Sequence, residues 1–298
     1  MDLSSPSVIR EIRDRHNFQL SKSLGQNFIT DRHVLESIIS GAGIGNEDLV
    51  IEIGPGIGVL TAEAAREAAA VTAIEIDRKL IPILEETLAE YDNIEIINRD
   101  ILKTDLKEII ESRRSAGAFT GSARVIGNLP YYITTPIIMK LLSEGVPADS
   151  ITIMMQKEVA DRILAGPGSK TYGAISVAVQ YYCEAEKVAS VPKEVFIPQP
   201  KVDSTVLNLM PRKEKSIQLA DEKTFFSCVK AAFAQRRKTL LNSLSSAGGM
   251  DKETIRQILQ AVEIDPARRA ETLTIEEFGR LANEVSNAKA KSTSEENK

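Results

Sequence analysis

The sequence predicts an α/β fold with a mostly parallel sheet, and three observations carry that expectation. From Leu49 to about Met155, short apolar runs alternate with stretches of helical period, the pattern of strands joined through crossover helices. The runs are almost continuously apolar, as strands covered on both faces require. The first run ends in a glycine-rich turn that opens a helix, which is where sheets of this kind hold ligands.

The elements follow in order. LVIEI (49–53) is the first strand, followed by the glycine turn and an alanine-rich helix. AVTAIEID (70–77) is the second, with helical RKLIPILEETLAEY after it. NIEIINRD (93–100), ARVIGN (123–128) and DSITIMMQK (149–157) continue the series. Residues 111–122, ESRRSAGAFTGS, read as a surface excursion before the fourth strand. Beyond residue 157 the alternation stops. YGAISVAVQYYC (172–183) reads as a helix, and KVASV (187–191) and STVLNLM (204–210) as strands around the proline-rich PKEVFIPQPKVD. PRKEKS (211–216) is a charged linker. Phe225, Phe226, Val229 and Phe233 form an apolar stripe at helical spacing, and Thr274 with Glu277 makes a capping box before FGRLANEV. The tail, 287–298, is small and polar, a composition that predicts disorder. The expected organisation is a sheet domain over 1–212, a small all-helical domain over 213–286, and the tail. No internal repeat is visible.

Composition narrows the function. The 298 residues are 43% hydrophobic, enough for a real core. No apolar run approaches the length of a membrane span. The start, MDLSSP, lacks the charged and apolar blocks of a signal peptide, so a cytoplasmic protein is expected. Cys183 and Cys228 have no metal-type spacing and are expected to stay reduced; with only His16 and His33 as histidines, no metal site is expected. A net charge of −5 argues against nucleic-acid binding, yet phosphate contacts need only a local basic patch. Two such patches occur: Arg10, Arg13, Arg15 and Lys22, and Gln235-Arg236-Arg237-Lys238. On composition alone both read as solvated faces, the first diluted by Glu11 and Asp14.

EIGPGIGVLT (52–61) closes the first strand. Gly54 and Gly56 fit a dinucleotide fingerprint, but Gly58 comes one position early and Pro55 removes a donor, so a pyrophosphate cradle fits poorly. No lysine follows as a Walker A loop would require, and in GPGSKT (166–171) Ser169 stands where that loop needs glycine. A nucleoside without phosphate fits better. Glu75 ends the second strand, where a carboxylate can hold two ribose hydroxyls, and Asp100 ends the third, where it can accept from an adenine amine. Each acid alone is equally a strand-end turn residue; it is their placement after consecutive strands that points to a ligand. This constellation resembles the class I S-adenosyl-L-methionine-dependent methyltransferases, a Rossmann-like fold whose sheet has seven strands.

The fourth strand ends in Asn128-Leu129-Pro130-Tyr131. An exocyclic amine is a weak nucleophile because its lone pair is delocalised into the ring. Acceptors for its hydrogens let the nitrogen pyramidalise, and the Asn128 side-chain carbonyl and the Leu129 backbone carbonyl can supply them. Pro130 keeps the preceding residue extended, and Tyr131 can stack on a base. A plain turn with packed tyrosines is the competing reading. The motif resembles that of methyltransferases acting on the amino groups of adenine and cytosine.

With its flanks the resemblance sharpens. KSLGQNFITD (22–31), IEIGPGIGVLT, IEID, GNLPYYITTPI, MMQKEVADRILAGPGSKTYGAISV, VFIPQPKVDS and AFAQRRKTLLNSL are together similar to the small-subunit ribosomal RNA adenine dimethyltransferase family of the KsgA type, over residues 16 to 285. Tyr132 stands where many members carry Asn, and altered packing is expected there. The resemblance implies cofactor contacts from Asn27, Ile29, Gly54, Gly56, Glu75, Asp100 and Asn128, with residues 10–31 as a basic segment closing over the cofactor. It implies that Phe196 stacks on the target base opposite Tyr131, so that the base is flipped out, and that Arg236, Arg237 and Lys238 grip rRNA phosphates. The implied reaction is N6,N6-dimethylation of two adjacent adenosines near the 3′ end of small-subunit rRNA, in a pre-30S particle, by a monomer that also serves late subunit assembly. Alternatives are dimethylation of large-subunit rRNA, as in macrolide resistance, and a non-catalytic RNA-binding assembly or transcription factor on the same fold. A nucleotide-dependent oxidoreductase founders on the misplaced glycine.

Overall fold

In the computed structural model, residues 1–18, 26–247 and 249–296 are described. Lys22 and the next three residues of the motif that begins there lie outside them. The chain forms two compact units, Met1–Ala160 with Ala185–Pro211, and Asp161–Glu184 with the residues from Arg212 onward. In chain order the elements are α1 (Pro6–Arg15), β1 (Phe28–Ile29), α2 (Arg32–Ala42), β2 (Leu49–Ile53), α3 (Val59–Glu67), β3 (Ala70–Glu75), α4 (Ile81–Thr87), β4 (Ile94–Asn98), α5 (Leu106–Ser115) and β5 (Ala123–Asn128). They continue with α6 (Thr134–Ser143), β6 (Ser150–Gln156), α7 (Lys157–Leu164), α8 (Ala174–Tyr182), β7 (Cys183–Val191), β8 (Phe196–Ile197), β9 (Ser204–Pro211), α9 (Glu222–Phe233), α10 (Leu240–Ala247), α11 (Lys252–Ala261) and α12 (Ile275–Glu296).

The sheet has seven strands in the order β4-β3-β2-β5-β6-β9-β7. β4, β3, β2, β5 and β6 run parallel, and β9 joins β6 antiparallel, Ile153 opposite Leu207. Strand order reverses between β2 and β5, so the loops after these strands part and leave a crevice at their carboxyl ends. Every residue of β2 and of β3 is buried, which is why their sequences lack alternation. A second, two-stranded ribbon pairs β1 with β8, Phe28 opposite Ile197 and Ile29 opposite Phe196.

Part of the excursion expected at 111–122 is helical. Asp105 caps α5 by accepting from the Lys107 and Glu108 amides at 2.9 and 3.2 Å, and Leu106, Ile109 and Ile110 bury one face. In the second unit α8 packs on α9 through Tyr181 against Phe225, ring centroids 5.3 Å apart, and Tyr182 stacked on Phe226 at 5.5 Å. Residues 161–184 therefore group with the C-terminal helices and not with the sheet domain to which the sequence reading gave them. The Thr274–Glu277 capping box forms: the Thr274 amide donates to Glu277 Oε2 at 2.9 Å, and the Glu277 amide to Thr274 Oγ1 at 3.3 Å. The α12 helix that it starts extends into the segment whose composition predicts disorder. Both cysteines are buried free thiols. Among the described residues no helix is long and apolar enough to cross a membrane.

Candidate active site

The crevice at the carboxyl edge of the sheet opens into a cavity that, with the solvent in its mouth, spans about 920 Å³. Its floor is the turn after β2. Gly54 and Gly56 have φ of +72° and +64°, a region L side chains rarely adopt. A Cβ on Gly54 would meet nothing within 4 Å, whereas one on Gly56 would lie 2.8 Å from Phe28 Cε1. The floor is open where a ligand would lie and tight where the N-terminal segment crosses it.

Glu75, at the end of β3, is 5% exposed. Its Oε1 accepts from the Asp77 amide at 2.8 Å and its Oε2 from the Gly56 amide at 3.3 Å. Burial raises its pKa, opposed by these amides. The carboxylate thus ties the glycine turn to β3 while keeping lone pairs for hydroxyl donors. Asp100, after β4, accepts from the Leu102 amide at 2.9 Å and lines the wall beside Arg99 and Ile101. The charged groups on the walls are Glu52, Glu75, Asp100 and Arg99. Three acids against one base suit a cationic ligand and oppose a pyrophosphate.

Asn128 closes the opposite side. Its Nδ2 donates to the Asn27 carbonyl at 2.8 Å. That bond fixes which way the amide faces and leaves Oδ1 without a partner among the described residues. The Pro130 carbonyl is engaged by the Ile133 amide at 3.1 Å and the Thr134 hydroxyl at 3.0 Å, while among the described residues no hydrogen bond reaches the Leu129 carbonyl. Asn128 and Pro130 line the cavity. The Leu129 side chain is buried in the core. Tyr131 is half-buried, its hydroxyl 2.9 Å from Ser204 Oγ and kept neutral by burial, which raises its pKa. Neither Leu129 nor Tyr131 borders the cavity. Tyr132 does, with an exposed ring.

The N-terminal segment lies across the cavity. Gln26 Nε2 donates to Asp77 Oδ2 at 3.1 Å, and Phe28 and Ile29 line the wall. Thr30 gives both its amide and its hydroxyl to the Val195 carbonyl, each at 2.8 Å. Asn27, Ile29, Gly54, Gly56, Glu75, Asp100 and Asn128 therefore meet around one cavity. Phe196 does not join them: it is 2% exposed, in the core beneath the β1–β8 ribbon. Sequence reasoning missed Glu52, Phe28 and Ile76 on the walls.

The two basic patches differ. Arg13 pairs with Asp14 at 3.0 Å, and Arg15 is bound by Glu11 and Glu86, so most of the described first patch is already neutralised. In the second unit Arg236 donates to the Tyr172 carbonyl at 3.3 Å. Arg237 and Lys238 are exposed, and their side chains have no partner among the described residues.

A doubly wound sheet with a cavity at its carboxyl edge, an acid after each of two successive strands and Asn-Leu-Pro-Tyr after the fourth of the parallel series defines an S-adenosyl-L-methionine-dependent methyltransferase. Comparison with known proteins takes the assignment further. The sequence model of the ribosomal RNA adenine dimethylase family matches residues 17–285, and the chain belongs to that family. It is 54% identical to ribosomal RNA small subunit methyltransferase A of Alkaliphilus metalliredigens, over 94% of this chain and 97% of that one. With the protein of the same name from Clostridioides difficile it shares 52% identity, over 94% and 96%. Among solved structures it resembles a dimethyladenosine transferase from Plasmodium falciparum, with TM-score 0.70, 25% identity, and 85% and 95% of the two chains covered. It also resembles the 23S rRNA methyltransferase ErmE, with TM-score 0.63, 26% identity, and 87% and 99% covered.

Proposed function

We propose that this protein dimethylates the N6 amino groups of two adjacent adenosines near the 3′ end of small-subunit rRNA, using S-adenosyl-L-methionine. It does so as a monomer, in the cytoplasm, on a pre-30S particle. The observation that carries the reading is the orientation of Asn128. With Nδ2 committed to the Asn27 carbonyl, Oδ1 is the atom left to accept a hydrogen from an incoming amine. The Leu129 carbonyl, equally uncommitted, is the second acceptor. Two acceptors on one amine draw its hydrogens aside and favour the pyramidal nitrogen that attacks, an interaction that strengthens as positive charge develops.

The cofactor, when bound, supplies an electrophilic methyl group on a positively charged sulfur. The residues suited to hold it are Gly54, which leaves the floor open, Gly56 beside it, Glu75 for ribose hydroxyls, Asp100 for the adenine amine, and Asn27 and Ile29 of the overlying segment. The buried, unpartnered Oε2 of Glu52 and the acidic walls fit a cationic ligand. Tyr131, its hydroxyl anchored on Ser204, offers the free part of its ring to the target base. A matching role for Phe196 requires its ring to leave the core. Arg237 and Lys238, with Arg236, are the candidate phosphate contacts. Small-subunit rRNA is favoured over large-subunit rRNA because relatives above 50% identity carry the small-subunit name, whereas the large-subunit enzyme is 26% identical.

Asn128→Ala tests the reading. In single-turnover methylation of undermethylated small subunits, at saturating cofactor, the rate is expected to fall on the order of a hundred-fold, with subunit binding unchanged. A variant that methylates at the wild-type rate once bound would remove the amine-orienting role from Asn128.

A further inference from the structure

The Asn-Leu-Pro-Tyr motif runs on into a second tyrosine, and nothing in the proposed reaction uses it. The two rings are placed differently. Tyr131 is half-buried with its hydroxyl on Ser204. Tyr132 borders the cavity, is 59% exposed, and among the described residues nothing hydrogen-bonds its hydroxyl. The turn that presents it is pinned, since the Pro130 carbonyl takes both the Ile133 amide and the hydroxyl of buried Thr134. A fixed backbone therefore holds this ring out, with little packing of its own. It has company. Of the six large apolar side chains exposed among the described residues, three are Ile76, Leu102 and Tyr132. They come shortly after the ends of β3, β4 and β5, at the carboxyl edge where the cavity opens. Arg99, exposed in the turn after β4, lines the same cavity. Apolar groups that collect at one edge mark a contact surface, and an exposed ring with a cation nearby suits an unstacked base and its phosphate.

We propose that Tyr132 is the stacking platform for the adenosine next to the one being methylated. The inference rests on the proposed reaction at two adjacent adenosines, and it says where the second base goes. Extruding one base strips its neighbour of a stacking partner, and the exposed ring at the mouth replaces that partner. A single ring at a fixed place meets the neighbour in only one of the two registers. It serves when one adenosine of the pair occupies the site and not when the other does. Tyr132 is thus a positioning residue that acts on the two adenosines unequally, whereas Asn128 acts on both alike.

Mass-spectrometric mapping of both adenosines over time, on undermethylated small subunits treated with Tyr132→Ala, reads this inequality. One adenosine is expected to be methylated about tenfold or more slowly and the other near the wild-type rate, with calorimetry giving unchanged affinity for S-adenosyl-L-methionine. Tyr132→Phe, which keeps the ring, is expected to restore both rates. A second arm removes the neighbour instead of the ring. It uses subunits whose rRNA has a synthetic 3′ segment, with an abasic nucleotide in place of the adenosine beside the affected one. On these the wild type is expected to slow as much as Tyr132→Ala does on normal subunits, and the two changes together to cost no more than either alone. Equal rates at the two adenosines of the variant, slowed or not, overturn the proposal, as do losses that multiply. Weakened cofactor binding in Tyr132→Ala also overturns it and places the ring over the cofactor. A wild-type protein that leaves both adenosines unmodified refutes the underlying reaction, a failure distinct from even methylation by the variant.

Discussion

At the scale of single residues, two carboxyls one strand apart are desolvated by the same sheet but differ in their partners. Glu75 accepts two backbone amides, whereas Glu52 has a buried oxygen with none. In the ligand-free protein folded Glu52 keeps its proton up to about pH 8, while the unfolded chain loses it near the ordinary glutamate value. Between these limits the folded state binds the extra proton, so stability is fully present below the window and declines as pH rises through it. The loss is on the order of 3–5 kcal/mol from this group. Urea unfolding of the ligand-free protein between about pH 5 and pH 8.5 should show that decline, and Glu52→Gln should flatten it; an identical slope in the variant would mean Glu52 is ionised throughout. The acids at strand ends were legible in the sequence because a carboxylate after an apolar run stands out. Glu52 carried a signal too, as the one charge inside LVIEI, but the parallel-strand reading attended to the apolar run and passed over its exception.

At the scale of elements, the glycine turn and the segment above it form a fitted pair. Gly56 takes a positive φ, and a Cβ on it would run into the Phe28 ring; Phe28 belongs to the short ribbon with β8. Gly56→Ala therefore strains the backbone and pushes the ring off the floor. It is expected to cost about 1–3 kcal/mol of stability and to weaken cofactor binding. Thermal unfolding and calorimetry on the same preparation check both, and unchanged values in both would mean that the turn relaxes freely. The ribbon itself was not foreseen. Two-residue strands have no periodicity, and the pairing of Phe28 with Ile197 joins positions far apart in the chain. Phe196, to which the family resemblance gave a place on the target base, sits in that ribbon opposite Ile29 and is buried. The inner strands were readable because burial on both faces writes continuous apolar runs, whereas the outermost strands β4 and β7 are largely uncovered. The order of the strands, and the antiparallel entry of β9 beside β6, were not readable, since periodicity does not name a neighbour.

At the scale of the whole molecule, a chain of net charge −5 acts on a polyanion, so phosphate contacts have to be local. Replacing Arg237 and Lys238 together with Gln, while keeping Arg236 and its bond to the Tyr172 carbonyl, is expected to weaken small-subunit rRNA binding. It should also reduce the slope of log K against log salt by about 1.5 and leave cofactor affinity unchanged. An unaltered slope would place both residues away from the RNA. The unit that carries them was only partly legible. Its C-terminal helices announce themselves by spacing and by the Thr274–Glu277 box, but α8 joins them through tyrosine and phenylalanine contacts that no local pattern records.

The most direct test of the account is mass-spectrometric mapping of rRNA after purified protein and S-adenosyl-L-methionine have acted on undermethylated ribosomal subunits. Four methyl groups are expected on two adjacent adenosines near the 3′ end of the small-subunit rRNA, and almost none with Asn128→Ala over the same period. Methylation confined to large-subunit rRNA, or small-subunit rRNA left unmodified by a protein that binds both cofactor and particle, would contradict it.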